Sequence, residues 1–239
     1  MKLLTSQCSF QGGRNCNEDS VLFKQRGKNA VAIVADGLGG YGNGDIASHI
    51  VTTTMGELFL ANPVIDQKHL TKLFQNTNRA ICAEQKNGIK MKSTAVGWFY
   101  NGKRFAVAHI GDSRLYHFRQ KKIIFQTRDH SVPQMLFQAG EITEREIRFH
   151  EDRNKILRAL GSRDEIRVEV NVWNEDVKDG DAFLLCSDGF WEYVWEEEMV
   201  EDLLHSKDPE QWIQFMNERI RQRAIQDNDN FSAMTIFCL

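Results

Sequence analysis

The sequence predicts an α+β fold, a mostly antiparallel sheet with helices on its outer faces. Three observations lead there. Short runs rich in β-branched and aromatic residues recur along the chain. Two tight turn signals join neighbouring runs directly, which is the connectivity of antiparallel hairpins. Helical stretches come as two pairs, one after the second run and one before the last, rather than alternating with strands as a parallel sheet requires.

In chain order, SVLFKQ (20–25) and NAVAIVAD (29–36) are the first strands. The first helical pair follows, NGDIASHIVTTTMGELFLA (43–61) and DQKHLTKLFQNTNRAICAEQ (66–85). In the second of these, Leu70, Leu73, Phe74, Thr77 and Ile81 share one face. STAVGWFY (93–100) and RFAVAHIG (104–111) are joined by YNGKR, where Asn101-Gly102 suits positive φ. LYHFRQ (115–120) and KIIFQT (122–127) form a second hairpin through RQKK. The stretch 131–161 fits neither period. It reads as short helices in an insertion beside the sheet, the kind of element that shapes a substrate mouth. IRVEVNVW (166–173) and AFLLCSD (182–188) return to strand. EEEMVEDLLH (196–205) and DPEQWIQFMNERIRQRAI (208–225) are the second helical pair, the latter with Asp208 as N-cap and Pro209 in its first turn. AMTIFCL (233–239) closes the chain.

No repeat, low-complexity tract or Pro/Gly/Ser linker divides the 239 residues, so one domain, 1–239, is expected. A net charge of −3, from 30 basic and 33 acidic residues, argues against a nucleic-acid or anionic-membrane surface. The opening MKLLTSQCSF has too short an apolar run for a signal peptide, and no apolar span is long enough for a membrane helix. The 5 cysteines are odd in number and form no CxxC pair. That excludes a disulfide framework and a structural zinc site, and points to a reducing compartment, the cytoplasm.

Acidic residues stand beside the strands. Glu18 and Asp19 precede the first, Asp36 follows the second, and Asp112 lies in a GDSR turn. Asp188 follows AFLLCS, and Asp227 and Asp229 precede the last strand. Each alone is ordinary turn chemistry. Together they are more. Asp36 and Asp188 both terminate apolar strands, so their carboxylates meet at a shared sheet end. Carboxylates collected at one rim repel, and a divalent cation relieves the repulsion. Hard oxygen donors without His or Cys select magnesium, manganese or calcium over zinc, and no EF-hand loop is present. Arg14, four residues before Glu18, either neutralises the cluster or presents its fork to a phosphate. Cations, a guanidinium and carboxylates suggest phosphoryl chemistry with a metal-activated water.

RNCNEDS, VADGLGG, GDSRLY, TRDHS, LRALG, LLCSDGFW and DNFSAMTI occur in this order over nearly the whole chain. Together they resemble the metal-dependent serine/threonine protein phosphatases of type 2C, in their compact bacterial form. The resemblance implies a four-layer α-β-β-α sandwich, two antiparallel sheets flanked by helix pairs, with a flap matching 131–161. It implies two Mn2+ or Mg2+ ions and a weaker third. Asp36 would bridge the pair and the Gly37 carbonyl would bind the second ion, the glycines letting backbone act as ligand. Asp188 and Asp229 would hold the first ion, Glu18 would sit by the second, and Asp19 would orient the water. Asp112 would share the third ion with Asp188, and Arg14 would clamp the substrate phosphate. The implied reaction is hydrolysis of phosphoserine and phosphothreonine by a metal-bridged water attacking phosphorus directly. The implied partners are phosphorylated proteins, a Ser/Thr kinase or its targets, with a monomer as the default.

Some positions depart from the family. Leu38 stands where many relatives carry His, a candidate general acid, and bacterial ones Met. The leaving group then needs another proton source, water on the third ion or His150. MKST (91–94) replaces a more usual Met-Gly-Thr-Thr, and Ser232 is slightly displaced from the usual Thr. His130 reads as structural and Arg114 as an internal partner of carboxylates. The competing readings are an inactive phosphatase-like binding module, and a phosphatase for small esters or one dedicated phospho-regulator.

Overall fold

The computed structural model describes residues 1–39, 43–86 and 89–239. Gly40 of the quoted glycine loop lies outside them. The strands are β1 (Leu3–Phe10), β2 (Asp19–Arg26), β3 (Asn29–Asp36), β4 (Ala95–Asn101), β5 (Arg104–Ile110), β6 (Arg114–Arg119), β7 (Lys122–Gln126), β8 (Glu169–Asp176), β9 (Ala182–Cys186) and β10 (Phe231–Cys238). The helices are α1 (Gly44–Ala61), α2 (Gln67–Glu84), α3 (Val132–Ala139), α4 (Asp188–Trp191), α5 (Glu196–His205) and α6 (Pro209–Arg223), with a 3-10 helix at Glu144–Phe149.

Two five-stranded antiparallel sheets result, ordered β1-β10-β9-β6-β7 and β2-β3-β4-β5-β8. The period of two explains how they stack. In β3, Ala30, Ala32 and Val34 face the other sheet, whereas Val31, Ile33 and Ala35 face the helices. The layer between the sheets is aromatic at its centre, where Phe183 meets Trp98 at 5.3 Å and Phe105 at 5.2 Å. Val51, Met55 and Phe59 of α1 and Phe74 of α2 cover the outer face of the β2–β8 sheet. Trp212 and Met216 of α6 and Met199 of α5 cover the other. This is the expected α-β-β-α stack.

Local chemistry sets the boundaries. Asp208 accepts from the Gln211 N–H at 2.8 Å and Pro209 opens α6. The five apolar-face residues expected in α2 are its buried ones. At RQKK, Gln120 and Lys121 both take positive φ, 50° and 59°, as a two-residue hairpin demands. The other hairpin differs from expectation. Only Gly102 has positive φ, 83°, while the Asn101 side chain accepts from the Arg104 N–H at 2.9 Å. Asn101 works as a cap, and the left-handed conformation falls on Gly102 alone.

β1 was not anticipated. LLTSQCSF pairs with β10 from Leu3–Cys238 to Phe10–Phe231, at an edge of its sheet. Its mixed polar surface gives no continuous apolar run, and its partner lies at the far end of the chain. The first helical pair therefore follows the third strand. The 131–161 stretch does hold short helices, α3 and the 3-10 helix. No helix among the described residues is long and apolar enough to cross a membrane.

Candidate active site

Strand pairing brings the acidic residues to one end of the sandwich. Asp19 opens β2 and Asp36 ends β3, directly opposite each other in the ladder. Cys186, last in β9, pairs with Ala233 of β10, which places Asp188 beside Asp229 just before that strand. Asp112 lies in the turn between β5 and β6 at the same end.

Hydrogen bonds hold each position. The Asp36 N–H donates to Thr94 Oγ1 at 3.0 Å, and Thr94 shares a 2.7 Å bond with Ser113 beside Asp112. The Gly37 N–H donates to the Glu18 carbonyl at 3.0 Å, and the Gly44 N–H to Glu18 Oε1 at 3.2 Å. Gly37 is a steric necessity, and a side chain at Gly39 would push the Glu18 carboxylate aside. A Cβ at Gly37 would lie 2.1 Å from the Gly44 oxygen, and one at Gly39 would lie 2.0 Å from Glu18 Oε2. Asn230 accepts from the Glu18 N–H at 2.8 Å and donates to the carbonyls of Gln11 at 2.6 Å and Cys16 at 2.9 Å. Ser187 Oγ donates to Asp19 Oδ2 at 2.7 Å and accepts from the Ser232 N–H at 3.0 Å.

Arg14, Glu18, Asp36, Gly37, Leu38, Asp188 and Asp229 line a cleft of about 660 Å3, closed on one side by Asn154, Lys155 and Ile156 of the flap segment. Asp19 and Asp112 lie behind this lining. Asp112 is 2% exposed, and its carbonyl accepts from Trp191 Nε1 at 3.0 Å. Burial, and then the Asp188, Asp19, Asp112 and Asp229 carboxylates, push Asp36 well above the carboxylate range. Asp188 is raised likewise by burial and by Asp112. Asp112 is pushed up to about 7 by burial and by Asp129. Asp19 is pushed up to about 6 by burial, against the Ser187 and Ser232 hydroxyls that lower it. Such mutual repulsion among oxygen donors is what a hard divalent cation would remove. Asp19 Oδ1 and Asp112 Oδ1 are buried without a hydrogen-bond partner, and so remain available to one.

Arg14 departs from the simplest expectation. Its Nε and Nη2 grip both oxygens of Asp229, at 2.9 and 2.7 Å. A split of roles between Asp229 on a cation and Arg14 on a phosphate requires this pair to separate. Asn230 and Ser187, not singled out from the sequence, are the clamps for Glu18 and Asp19. Each adjoins a quoted acid, and only the fold shows where its side chain points.

The histidines fall outside the cleft lining. His150 Nδ1 accepts from the Asp152 N–H at 3.0 Å. His130 stacks on His109 with centroids 4.7 Å apart. With Glu169 they are the one group of three potential ligand atoms within 4.8 Å of one another among the described residues. Their tautomers disfavour a metal. His109 Nε2 donates to the Arg128 carbonyl at 2.8 Å, and His130 Nδ1 accepts from the Gly111 N–H at 3.1 Å. Neutral His130 therefore carries its hydrogen on Nε2, toward Glu169 at 3.8 Å, where a cation would need a lone pair. His130 is structural, as expected. Arg114 is also internal, gripping Asp129 at 2.8 and 2.7 Å and lying 3.5 Å over the Trp191 ring.

Carboxylates converging with a guanidinium at one end of two stacked antiparallel sheets suit divalent cations and phosphoryl chemistry. The family profile that matches is protein phosphatase 2C, over residues 11–230, and the chain belongs to that family. It is 33% identical over 203 residues to the serine/threonine phosphatase stp of Listeria innocua, covering 81% of this chain and 79% of that one. The crystal structure of the Mycobacterium tuberculosis serine/threonine phosphatase PstP/Ppp superposes with a TM-score of 0.85 at 29% identity, covering 98% of each chain. The catalytic domain of PstP in complex with two manganese ions superposes with a TM-score of 0.80 at 29% identity, over 98% of this chain and 97% of that one.

Proposed function

We propose that this chain removes phosphate from phosphoserine and phosphothreonine in proteins, using two divalent cations, Mn2+ or Mg2+, held at the acidic cleft. The observation that carries the reading is the convergence of Glu18, Asp19, Asp36, Asp112, Asp188 and Asp229 at one sheet end, where burial first and neighbouring carboxylates second raise the carboxyl groups of Glu18, Asp19, Asp36, Asp112 and Asp188.

Asp36, Asp188 and Asp229 are the proposed first ligands, with Glu18 and the Gly37 carbonyl toward the second ion and Asp112 toward a weaker third. When bound, the cations supply an activated water and neutralise charge on the phosphoryl oxygens. Arg14, with its side chain 52% exposed at the cleft, releases Asp229 and turns its fork to the phosphate. Asp19, locked by Ser187, accepts a hydrogen bond from the water and aims it. Leu38 has no proton to give, and Lys155, on the flap wall, is bound to Asp152 at 2.7 Å. The leaving alkoxide then takes its proton from water, either bulk or held at the weaker third cation.

The substrate is read as a protein phosphorylated by a Ser/Thr kinase, or the kinase itself, met in the cytoplasm by a monomer. All five cysteines are free thiols, which suits a reducing compartment. An inactive binding module is disfavoured, because every expected carboxylate is present. Manganese-dependent phosphate release from a phosphothreonine peptide, abolished by EDTA, tests the reading. A purified, folded protein that releases none with manganese refutes it.

A further inference from the structure

The end of the sandwich opposite the cleft is basic. The β2–β3 turn carries Arg26 and Lys28, the β4–β5 turn Lys103 and Arg104, and the β6–β7 turn Lys121 and Lys122. A fourth connection, from β8 to β9, crosses there from one sheet to the other. Strand pairing joins the four into one surface: Asn29 pairs with Asn101, Arg104 with Asp176, and Ala182 with Phe118. All six cations are exposed, and none forms an ion pair among the described residues.

The acids of this end do not balance them. Arg119 grips Asp181 at 2.8 and 2.9 Å, and Glu175 is shared by Arg119 at 3.0 Å and Lys178 at 3.6 Å, which leaves Asp176 and Asp179. With eight basic residues against four acidic ones, the four connections carry a surplus of four positive charges in a chain whose net charge is −3. The overall charge hides this asymmetry because carboxylates gather at the other end. The 8 residues of β3 separate the two ends by about 27 Å, more than three Debye lengths of about 8 Å, so the field of the cleft does not cancel this one.

Shape and composition select the partner. A Cβ added at Gly27 or Gly180 would meet nothing within 4 Å, so these turns project into solvent rather than enclose a groove. They expose no large apolar side chain and hold no aromatic residue. A specific protein interface is built round apolar and aromatic anchors, and single strands of nucleic acid stack on aromatic rings. Charge on projecting tips suits a broad, flat array of negative charge, to which each nearby Lys or Arg strengthens attachment about fivefold. We propose that this end of the sandwich docks on an anionic lipid bilayer through the six unpaired cations of its three hairpin turns. The attached molecule holds its cleft away from the headgroups, open to proteins in the aqueous layer.

The test is cosedimentation of the manganese-loaded enzyme, freed of excess ion, with lipid vesicles. The enzyme should bind vesicles of equal parts phosphatidylcholine and phosphatidylglycerol but not phosphatidylcholine alone. About 1 M NaCl, where the Debye length falls to about 3 Å, should release it. Arg26→Gln, Lys28→Gln and Lys103→Gln together should weaken binding about a hundredfold, while para-nitrophenyl phosphate turnover and the melting temperature stay unchanged. Lys90→Gln, Arg163→Gln and Arg167→Gln make the same change in net charge on exposed residues of the connections into β4 and β8, at the cleft end, and should leave binding within about twofold. Failure to bind the anionic vesicles at low salt overturns the proposal. So does an equal loss in the cleft-end variant, which makes the attraction a matter of net charge alone. Tighter capture by duplex DNA or polyglutamate at the same salt gives the surface to another partner and overturns lipid docking. The phosphatase reading is reported separately, by para-nitrophenyl phosphate turnover without vesicles.

Discussion

Replacing Asp112 by asparagine should stabilise the cation-free protein, and by more at pH 8 than at pH 5. Asp112 is buried against Asp129, and its carboxyl sits at about 7 instead of the ordinary 3.8. The native state thus keeps a proton that the unfolded chain loses. Stability from this group is fully present below 3.8 and is lost as pH rises through about 7. At 1.36 kcal/mol per pKa unit, the carboxylate costs roughly 4 kcal/mol at pH 8 and roughly 2 kcal/mol at pH 5. Asparagine has no proton to lose, so the gain from the substitution should grow by about 2–3 kcal/mol between these pH values. At about 2–4 °C per kcal/mol for a domain of this size, that is on the order of 4–12 °C. Thermal melts of both proteins in EDTA at the two pH values measure it, and excess manganese should shrink the difference. Equal shifts at both pH values, or a lower melting temperature for the variant at pH 8, would refute the reasoning.

Three further outcomes follow from the same geometry. Asp36→Asn should abolish turnover with little loss of folding, because relieved repulsion with Asp188 and Asp19 offsets lost cation binding; unchanged kcat would remove its bridging role. Arg14→Ala should raise KM more than it lowers kcat, if the clamp holds substrate and transition state alike, and steady-state kinetics with an unaltered KM would count against it. Asn230→Ala leaves the Glu18 N–H and the Cys16 carbonyl unpaired and the Gln11 carbonyl with only the Arg14 N–H, which should cost about 2–4 kcal/mol in denaturant melts and weaken manganese binding by calorimetry.

Where the sequence was readable, the reason is local. NAVAIVAD and AFLLCSD are apolar runs bounded by turn residues, and Asp208-Pro209 signals its helix start within one turn. The convergence of the acidic residues was readable because all six, Glu18, Asp19, Asp36, Asp112, Asp188 and Asp229, stand at strand ends or in the turns beside them. What escaped depends on distance along the chain. LLTSQCSF becomes a strand only because β10 lies beside it. The Arg14–Asp229 pair joins residues 215 apart, and no local pattern announces it. Asn101 was misjudged because Asn-Gly suits two different turns, and here the amide side chain, rather than its own backbone, does the capping.

The β1–β10 pairing also decides what can be attached to this molecule. Backbone bonds between Lys2 and Leu239 tie the two termini together. They emerge side by side at the pole remote from the cleft, since Phe10 and Phe231 mark the catalytic end of the same ladder. A tether or fluorescent tag joined beyond Lys2 or Leu239 would start from the pole away from the mouth, and a short peptide could bridge these two strand ends.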